Sequence, residues 1–434
     1  MIATPETGIV GVIVLLIFLL LGMPLGCALG LVGLGGLTLV LGLEPALIKS
    51  ADLVIETLTR YELGTLPLFM LMAHLFFSSH ASRDLFDAAA RWIGHRRGGL
   101  ALASISGCAG FGAINGSSLA TAATIGMVAI PEMRRHGYSD ALATGAVAAG
   151  GTLGQMIPPS GALIVFGIIA QQSIGALFTA AIVPGITQAL FYMIVIALLV
   201  RWRPSLAPPT PKATWPERWV ALGKIADMLS LVAIVIGGIV FGLFTPSEAA
   251  SIGAAGALGI CAWRGRLDRG MLYRSLEETL RTSGLIYLVV IGTLVFSVFI
   301  SVTGVAEAAT GLITGVGGGA TSTALLMAVL LLLLGSLLDG LALILIATPI
   351  LLPVITSLGL SPIWLGIFLV RTAEIGFIHP PMGMNLYVIQ GIAPDVTLSR
   401  IFKGVLPFLA ADFVHLVLLI LVPALALALP GWLA

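Results

Sequence analysis

Two short segments hold the residue types and spacings best suited to binding small ions: GQMIPPSGALIVFG at 154–167 and GFIHPPMGMNLYVIQG at 376–391. Proline lacks an amide hydrogen and clashes with the preceding turn, so a Pro-Pro pair ends one half-helix and suits the start of another. The carbonyls left free can replace the water shell of a small cation, and the N-terminus of the next half-helix offers a positive dipole end to an anion. A sodium ion and a carboxylate are the natural occupants. Each segment follows a polar cluster set in an apolar run, Asn115-Gly116-Ser117-Ser118 before the first and Asp339-Gly340 before the second. The bland alternative is a proline kink without function. Two pairs in matching positions, each behind a polar turn, favour a site.

Ionisable side chains are scarce here. Residues 322–394 contain only Asp339, Arg371, Glu374 and His379, and each needs a partner if buried in a membrane. Arg371 and Glu374 are three residues apart and can pair on one helix; the sharper alternative is that Arg371 meets a substrate carboxylate. Asp339 is either a cation ligand or the cap of the half-helix it precedes. His379 can serve a cation through its backbone carbonyl while its ring packs. No carboxylate lies between Asp87 and Glu132, so a cation at the first site rests on neutral oxygens from Asn115, Ser117, Ser118 and the backbone near Gly154, which favours sodium over protons. Serine and threonine in membrane helices also bond their own backbone, which competes with this role for each hydroxyl.

The elements that position these residues follow from composition. The chain of 434 residues is 58% hydrophobic and 9% charged, against about 25% charged in a soluble domain, so lipid must be its main solvent. Residues 8–43 carry no charge, long enough for two crossings at about 20 residues each. No basic segment precedes that run, so the first helix is expected to stay rather than be cleaved. Cys27, Cys108 and Cys261 lack metal-ligand spacing, and a net charge of +1 gives no nucleic-acid signature.

Hydrophobic blocks predict crossings at 8–23, 25–43, 64–79, 138–172 with a break, and 176–200, then again at 228–244, 246–263, 283–303, 361–393 with a break, and 405–429. Two further apolar stretches, about 99–131 and about 322–353, read as re-entrant hairpins, because irregular backbone at membrane depth needs protein or a water-filled cavity around it. Residues 201–224 read as a linker. A shift of 222 residues lays Pro24 on Pro246, Pro131 on Pro353 and Pro158-Pro159 on Pro380-Pro381, with Gly154 on Gly376 and Ser117 on Asp339. That register predicts two repeats, 1–200 and 225–434. Five crossings per repeat is an odd number, so the second repeat enters from the opposite side. Basic-rich segments 80–97, 132–136, 201–224 and 264–281 then share one face, which should be cytoplasmic, and both termini face outward.

The run GAINGSSLATAATIGMVAIPEMRRHGYSDALATGAVAAGGTLGQMIPPSGALIVFG, with FTPSEAA at 244–250, LLDGLALILIATPILLPV at 337–354 and EIGFIHPPMGMNLYVI at 374–389, resembles the large membrane subunit of tripartite ATP-independent periplasmic (TRAP) transporters of the dicarboxylate type. The resemblance covers nearly the whole chain. It implies an all-α polytopic fold of two inverted repeats and sodium-driven uptake of a carboxylate by an elevator-like motion in the bacterial inner membrane. The implied partners are a small four-helix membrane subunit and a periplasmic substrate-binding protein, with sodium as coupling ion and no other cofactor. Sodium candidates are Asn115, Ser117, Gly154, Pro158, Asp339, Gly376, His379 and Pro380, and substrate candidates are Ser118, Thr121, Arg371, Glu374 and Asn385. The family's usual Ser-Gly-Ser stands here as Asn115-Gly116-Ser117, His379 replaces a threonine or small residue, and Gly340 follows Asp339 where Pro, Ser or Thr is more familiar. A stand-alone divalent-anion or C4-dicarboxylate carrier would share these features without a binding protein. An intramembrane enzyme would need a catalytic set such as a Ser-His pair or a zinc motif, and none stands out.

Overall fold

The computed structural model describes residues 4–79, 81–305, 307–308, 310–311 and 319–433, and every regular element among them is helical. In lipid each backbone amide must find its partner within its own segment, which leaves the helix as the default for so apolar a chain. The first half runs α1 (Pro5–Leu20), α2 (Leu25–Leu41), α3 (Leu43–Thr59), α4 (Thr65–Ser78) and α5 (Ala81–Ile93). Next come a helical hairpin, α6 (Gly99–Asn115) and α7 (Ser118–Arg135), a broken helix, α8 (Asp140–Met156) and α9 (Gly161–Ala170), and α10 (Ile174–Trp202). After α11 (Trp215–Gly223) the second half runs α12 (Ala226–Val240), α13 (Pro246–Trp263) and α14 (Arg269–Thr303). It closes with a second hairpin, α15 (Ala320–Gly335) and α16 (Gly340–Ser357), a second broken helix, α17 (Pro362–Gly376) and α18 (Met384–Ile392), then α19 (Leu398–Leu421) and α20 (Ala424–Leu433).

Five helical stretches among the described residues are long and apolar enough to cross a bilayer, the first broken helix counted as one, or seven if two bent pairs each count as a span. The remaining apolar helices are shorter. The 222-residue offset recurs in the helix ends: added to the ends of α7, 118 and 135, it gives 340 and 357, the ends of α16. It likewise carries the start of α8 at 140 to that of α17 at 362, and the end of α9 at 170 to that of α18 at 392. Both Pro-Pro bonds are cis.

Several segments that read as loops are helical. Residues 44–62 contain most of α3, and 80–97 contain α5, which buries Leu85, Phe86 and Ala88 on one face, exposes Arg83, Asp87 and Arg91, and pairs Asp84 with Arg264 and Arg266. An amphipathic helix of this kind has the polarity of a loop and hides its apolar stripe from a running average. The linker 201–224 holds a capped helix rather than irregular chain throughout. Thr214 and Glu217 form a capping box at the start of α11, and the Arg218 guanidinium lies 5.2 Å from the Trp215 ring centroid and 5.9 Å from that of Trp92 on α5. The crossing at 283–303 is the second part of α14, and the last crossing ends at Leu421, ahead of Pro423.

The tightest helix packings join the two halves. On α2, Gly26, Gly33 and Gly36 face α14: a Cβ on Gly33 would come within 2.7 Å of the Phe296 amide nitrogen, and one on Gly292 within 2.4 Å of the Gly26 carbonyl oxygen. A Cβ on Gly404 of α19 would sit 1.9 Å from the Ala141 carbonyl oxygen of α8. Small residues allow this approach, which is how membrane helices gain dispersion energy when lipid removes the hydrophobic drive.

Candidate functional site

The first hairpin turns in two residues. Asn115 ends α6, Gly116 takes the left-handed conformation (φ +65°) that a side chain disfavours, and Ser117 caps α7, its hydroxyl accepting from the Ala120 amide at 3.4 Å. This tip rests on the first helix break: a Cβ on Gly116 would lie 2.4 Å from the Pro159 carbonyl oxygen. One on Gly154, in the last turn of α8, would lie 2.3 Å from the Thr121 hydroxyl and 2.6 Å from the Ser117 carbonyl oxygen. Asn115, Ser117, Thr121, Gly154 and Pro158-Pro159 therefore converge. Pro158, Pro159 and Ser160 are buried. Around them the Asn115 amide nitrogen, the Thr121 hydroxyl and the Gln155 amide nitrogen are buried and make no hydrogen bond, an arrangement that costs about 1–3 kcal/mol per group unless something binds there.

A second part of the site bridges the halves. The Asn385 amide nitrogen, one residue into α18, donates to the Ser118 hydroxyl at 3.0 Å and to the Ala148 carbonyl at 2.9 Å. Two residues that the sequence places 267 positions apart thus meet at the N-termini of α7 and α18, both buried.

The second hairpin is built differently. Asp339 caps α16, its carboxylate accepting from the Leu341 amide at 3.1 Å. A Cβ on Gly340 would meet the Phe377 ring at 2.8 Å, and one on Gly376 the Gly335 carbonyl oxygen at 2.4 Å, so this hairpin packs against the end of α17. At the break, Pro380, Pro381 and Met382 are exposed, and the His379 ring stands edge-on to Phe413 at 6.0 Å with its Nδ1 buried and unpartnered.

Arg371 and Glu374 lie apart from both tips. The Arg371 guanidinium donates to the Glu374 carboxylate at 2.9 Å and to Asp412 of α19, and Arg371 and Glu374 have no exposed side-chain surface. The internal pair weighed from the sequence is present, with a third member not foreseen. Asp412 and His415 are ionisable residues inside the crossing expected at 405–429, and that oddity was the signal available. Toward the opposite ends of α7 and α8, Arg134 pairs with Asp395 and with Asp140 at 3.1 Å, and Arg400 with Asp140 at 3.1 Å. The Arg134 guanidinium holds the Asp395 carboxyl below the usual carboxylate range. Among the described residues no cluster of three or more His, Cys, Asp or Glu is arranged for a metal.

An apolar helical fold with paired hairpins and broken helices, converging on buried, unpartnered polar groups, has the form of a multi-pass membrane transporter. The chain belongs to the DctM component family of tripartite ATP-independent periplasmic transporters, whose family model matches residues 12–425. The C4-dicarboxylate TRAP transporter large permease protein DctM of Pseudomonas aeruginosa is 34% identical over 406 residues, 92% of this chain and 94% of that protein. The sialic acid TRAP transporter large permease protein SiaM of Vibrio cholerae is 31% identical over 411 residues, 94% and 95% of the two chains. In fold, the chain matches the YdaH transporter of Alcanivorax borkumensis with a TM-score of 0.57 at 15% identity, covering 90% of this chain and 88% of that one. It is a large permease subunit, not an enzyme.

Proposed function

We propose that this chain is the transport subunit of a sodium-driven uptake system for an organic acid in a bacterial inner membrane. It receives its substrate from a periplasmic binding protein and works beside a small four-helix membrane subunit. The observation that carries the reading is the seating of Asn115-Gly116-Ser117 on the first Pro-Pro break, with Gly154 packed against both the Ser117 carbonyl and the unpartnered Thr121 hydroxyl. These are neutral oxygens around the carbonyl end of a half-helix, a coordination shell suited to a monovalent cation. The break at Pro380, with Asp339, Gly376 and His379 near the end of α17, is the candidate for a second sodium ion. Ser118 and Asn385, at the N-termini of two half-helices, are the proposed substrate contacts, since their dipole ends favour an anion. Thr121 stands between the two sets. Arg371 and Glu374, already matched internally, are left out of the substrate contacts.

The matching helix ends at a spacing of 222 residues support two repeats, and the odd number of crossings per repeat supports their inversion, with both termini outward. Inverted repeats with paired hairpins suit an elevator-like motion. Relatives named for C4-dicarboxylates and for sialic acid support a carboxylate and leave its identity to the binding protein. The test is uptake into proteoliposomes containing both membrane subunits and supplied with the loaded binding protein. Uptake should require an inward sodium gradient, and equal uptake driven by a proton gradient alone would sink the sodium claim. Full uptake without the binding protein would favour a stand-alone carrier instead.

A further inference from the structure

Arg218 on α11 is a buried cation without a counter-ion. The residue is 6% exposed, its Nε and Nη2 are buried and make no hydrogen bond, and among the described residues it belongs to no ion pair. Its carbonyl accepts from the Trp92 indole at 3.2 Å, and its guanidinium lies against the rings of Trp215 and Trp92. Aromatic rings compensate part of a cation's charge, but they supply no acceptor oxygen for its N–H groups.

The acids on the helices packed here are engaged elsewhere. Glu217 accepts from the Thr214 amide at 2.7 Å and faces Arg91 at 3.9 Å. On α5, Asp84 pairs with Arg264 and Arg266, and Asp87 interacts with Arg91 and Arg83. Asp227 of α12 pairs with Arg264. What surrounds Arg218 instead is more positive charge. Burial, and after it the charges of Arg218, Lys212 and Arg96, hold the His95 imidazole below the usual histidine range, so three cations gather around one ring. The Arg96 and Lys212 side chains are exposed and belong to no ion pair among the described residues.

The same helix is dressed for a lipid interface. Trp215, Trp219 and Val220 are 62%, 59% and 62% exposed, and α11 meets the apolar α12 at 52°. Tryptophan concentrates where hydrocarbon gives way to headgroups, and basic pockets at that depth take anionic headgroups. We propose that Arg218 is the floor of a binding site for the phosphodiester of an anionic phospholipid, with Lys212 and Arg96 at its rim and Trp215 and Trp219 set in the interface beside it. A guanidinium matches two phosphate oxygens at once. A zwitterionic lipid fits less well, because no free carboxylate is at hand for its ammonium group. A phosphate without acyl chains leaves the exposed tryptophans unused. The inference rests on neither the sodium nor the substrate contacts.

The test titrates the purified full chain in detergent with phosphatidylglycerol, with phosphatidylcholine of the same acyl chains and with inorganic phosphate, and counts bound lipid by native mass spectrometry. The wild type should hold phosphatidylglycerol several-fold more tightly than phosphatidylcholine. R218Q, first checked as monodisperse, should weaken phosphatidylglycerol binding about fivefold, the loss expected for one basic residue at an anionic headgroup, and leave phosphatidylcholine unchanged. Equal binding of both lipids by the wild type overturns the proposal, and so does a folded R218Q that keeps the preference. Where R218Q folds, its binding decides; where it does not, K212Q, which alters an exposed and unpaired side chain, takes its place, and undiminished phosphatidylglycerol binding by K212Q overturns the proposal. Displacement of phosphatidylglycerol by inorganic phosphate at equal concentration also overturns it, because the site would then belong to the free anion.

Discussion

At the first break Pro158, Pro159 and Ser160 are buried under a hairpin tip, and every group around them is neutral. At the second, Pro380, Pro381 and Met382 are exposed, the hairpin packs one turn earlier against Gly376 and Phe377, and Asp339, His379 and the Arg371 network stand nearby. The two share sequence spacing and differ in cover and charge. The lesson is that one backbone device can be dressed in two ways: a buried break covered by neutral groups in one half, and an exposed break with charged side chains nearby in the other.

Removing the charge that backs the second break should have the largest effect. R371M leaves Glu374 and Asp412 buried without their cation, and breaking such a pair costs roughly 3–5 kcal/mol; folded yield and thermal midpoint in detergent should fall sharply. A variant that folds normally yet fails to transport would instead put Arg371 at the substrate. The next contrast is between the tips. Ala at Gly116 faces both a left-handed backbone and the Pro159 carbonyl, while Ala at Gly340 has an ordinary backbone and meets side chains, the Phe377 ring at 2.8 Å and the Ala373 Cβ at 3.3 Å. We expect G116A to lower uptake at least about tenfold, equivalent to about 1.4 kcal/mol, and G340A to do less. Equal losses would erase the distinction between a closed and an open break.

Within the neutral shell, T121V keeps the shape and removes the unpartnered hydroxyl. The sodium concentration for half-maximal uptake should rise roughly five- to tenfold, about 1 kcal/mol, whereas H379A at the open break should change it less, because its carbonyl remains. The smallest effect lies at the Arg134–Asp395 bridge. Its carboxyl is held below the ordinary value, so its contribution is present above the unfolded pKa of about 3.9 and lost only as pH falls through the lower folded value. D395N should leave the uptake profile from about pH 6 to about pH 8 unchanged in shape; a shifted profile would mean that another group titrates with it.

Much of this was legible in the sequence, because it rests on local chemistry. Pro-Pro pairs broke helices where proline must, Asp339 capped the helix that follows it, and both hairpins ended within four residues of expectation. The rest depended on partners far along the chain. Helices α3, α5 and α11 carry enough charge to pass for loops, and of the three only α5 buries an apolar face, with Leu85, Phe86 and Ala88. Asp412 finds its partner only where α19 meets α17, and no local pattern brings Ser118 to Asn385.

The glycine-lined contact between α2 and α14 has a consequence for how the protein is made. Gly26 and Gly292 touch, yet 266 residues separate them, so α2 is inserted long before its counterpart has been synthesised. Until then the groove along Gly26, Gly33 and Gly36 is bare backbone facing lipid, with few side-chain atoms to attract a neighbour. That face of the N-terminal half therefore waits in the bilayer as an unfinished surface until α14 arrives.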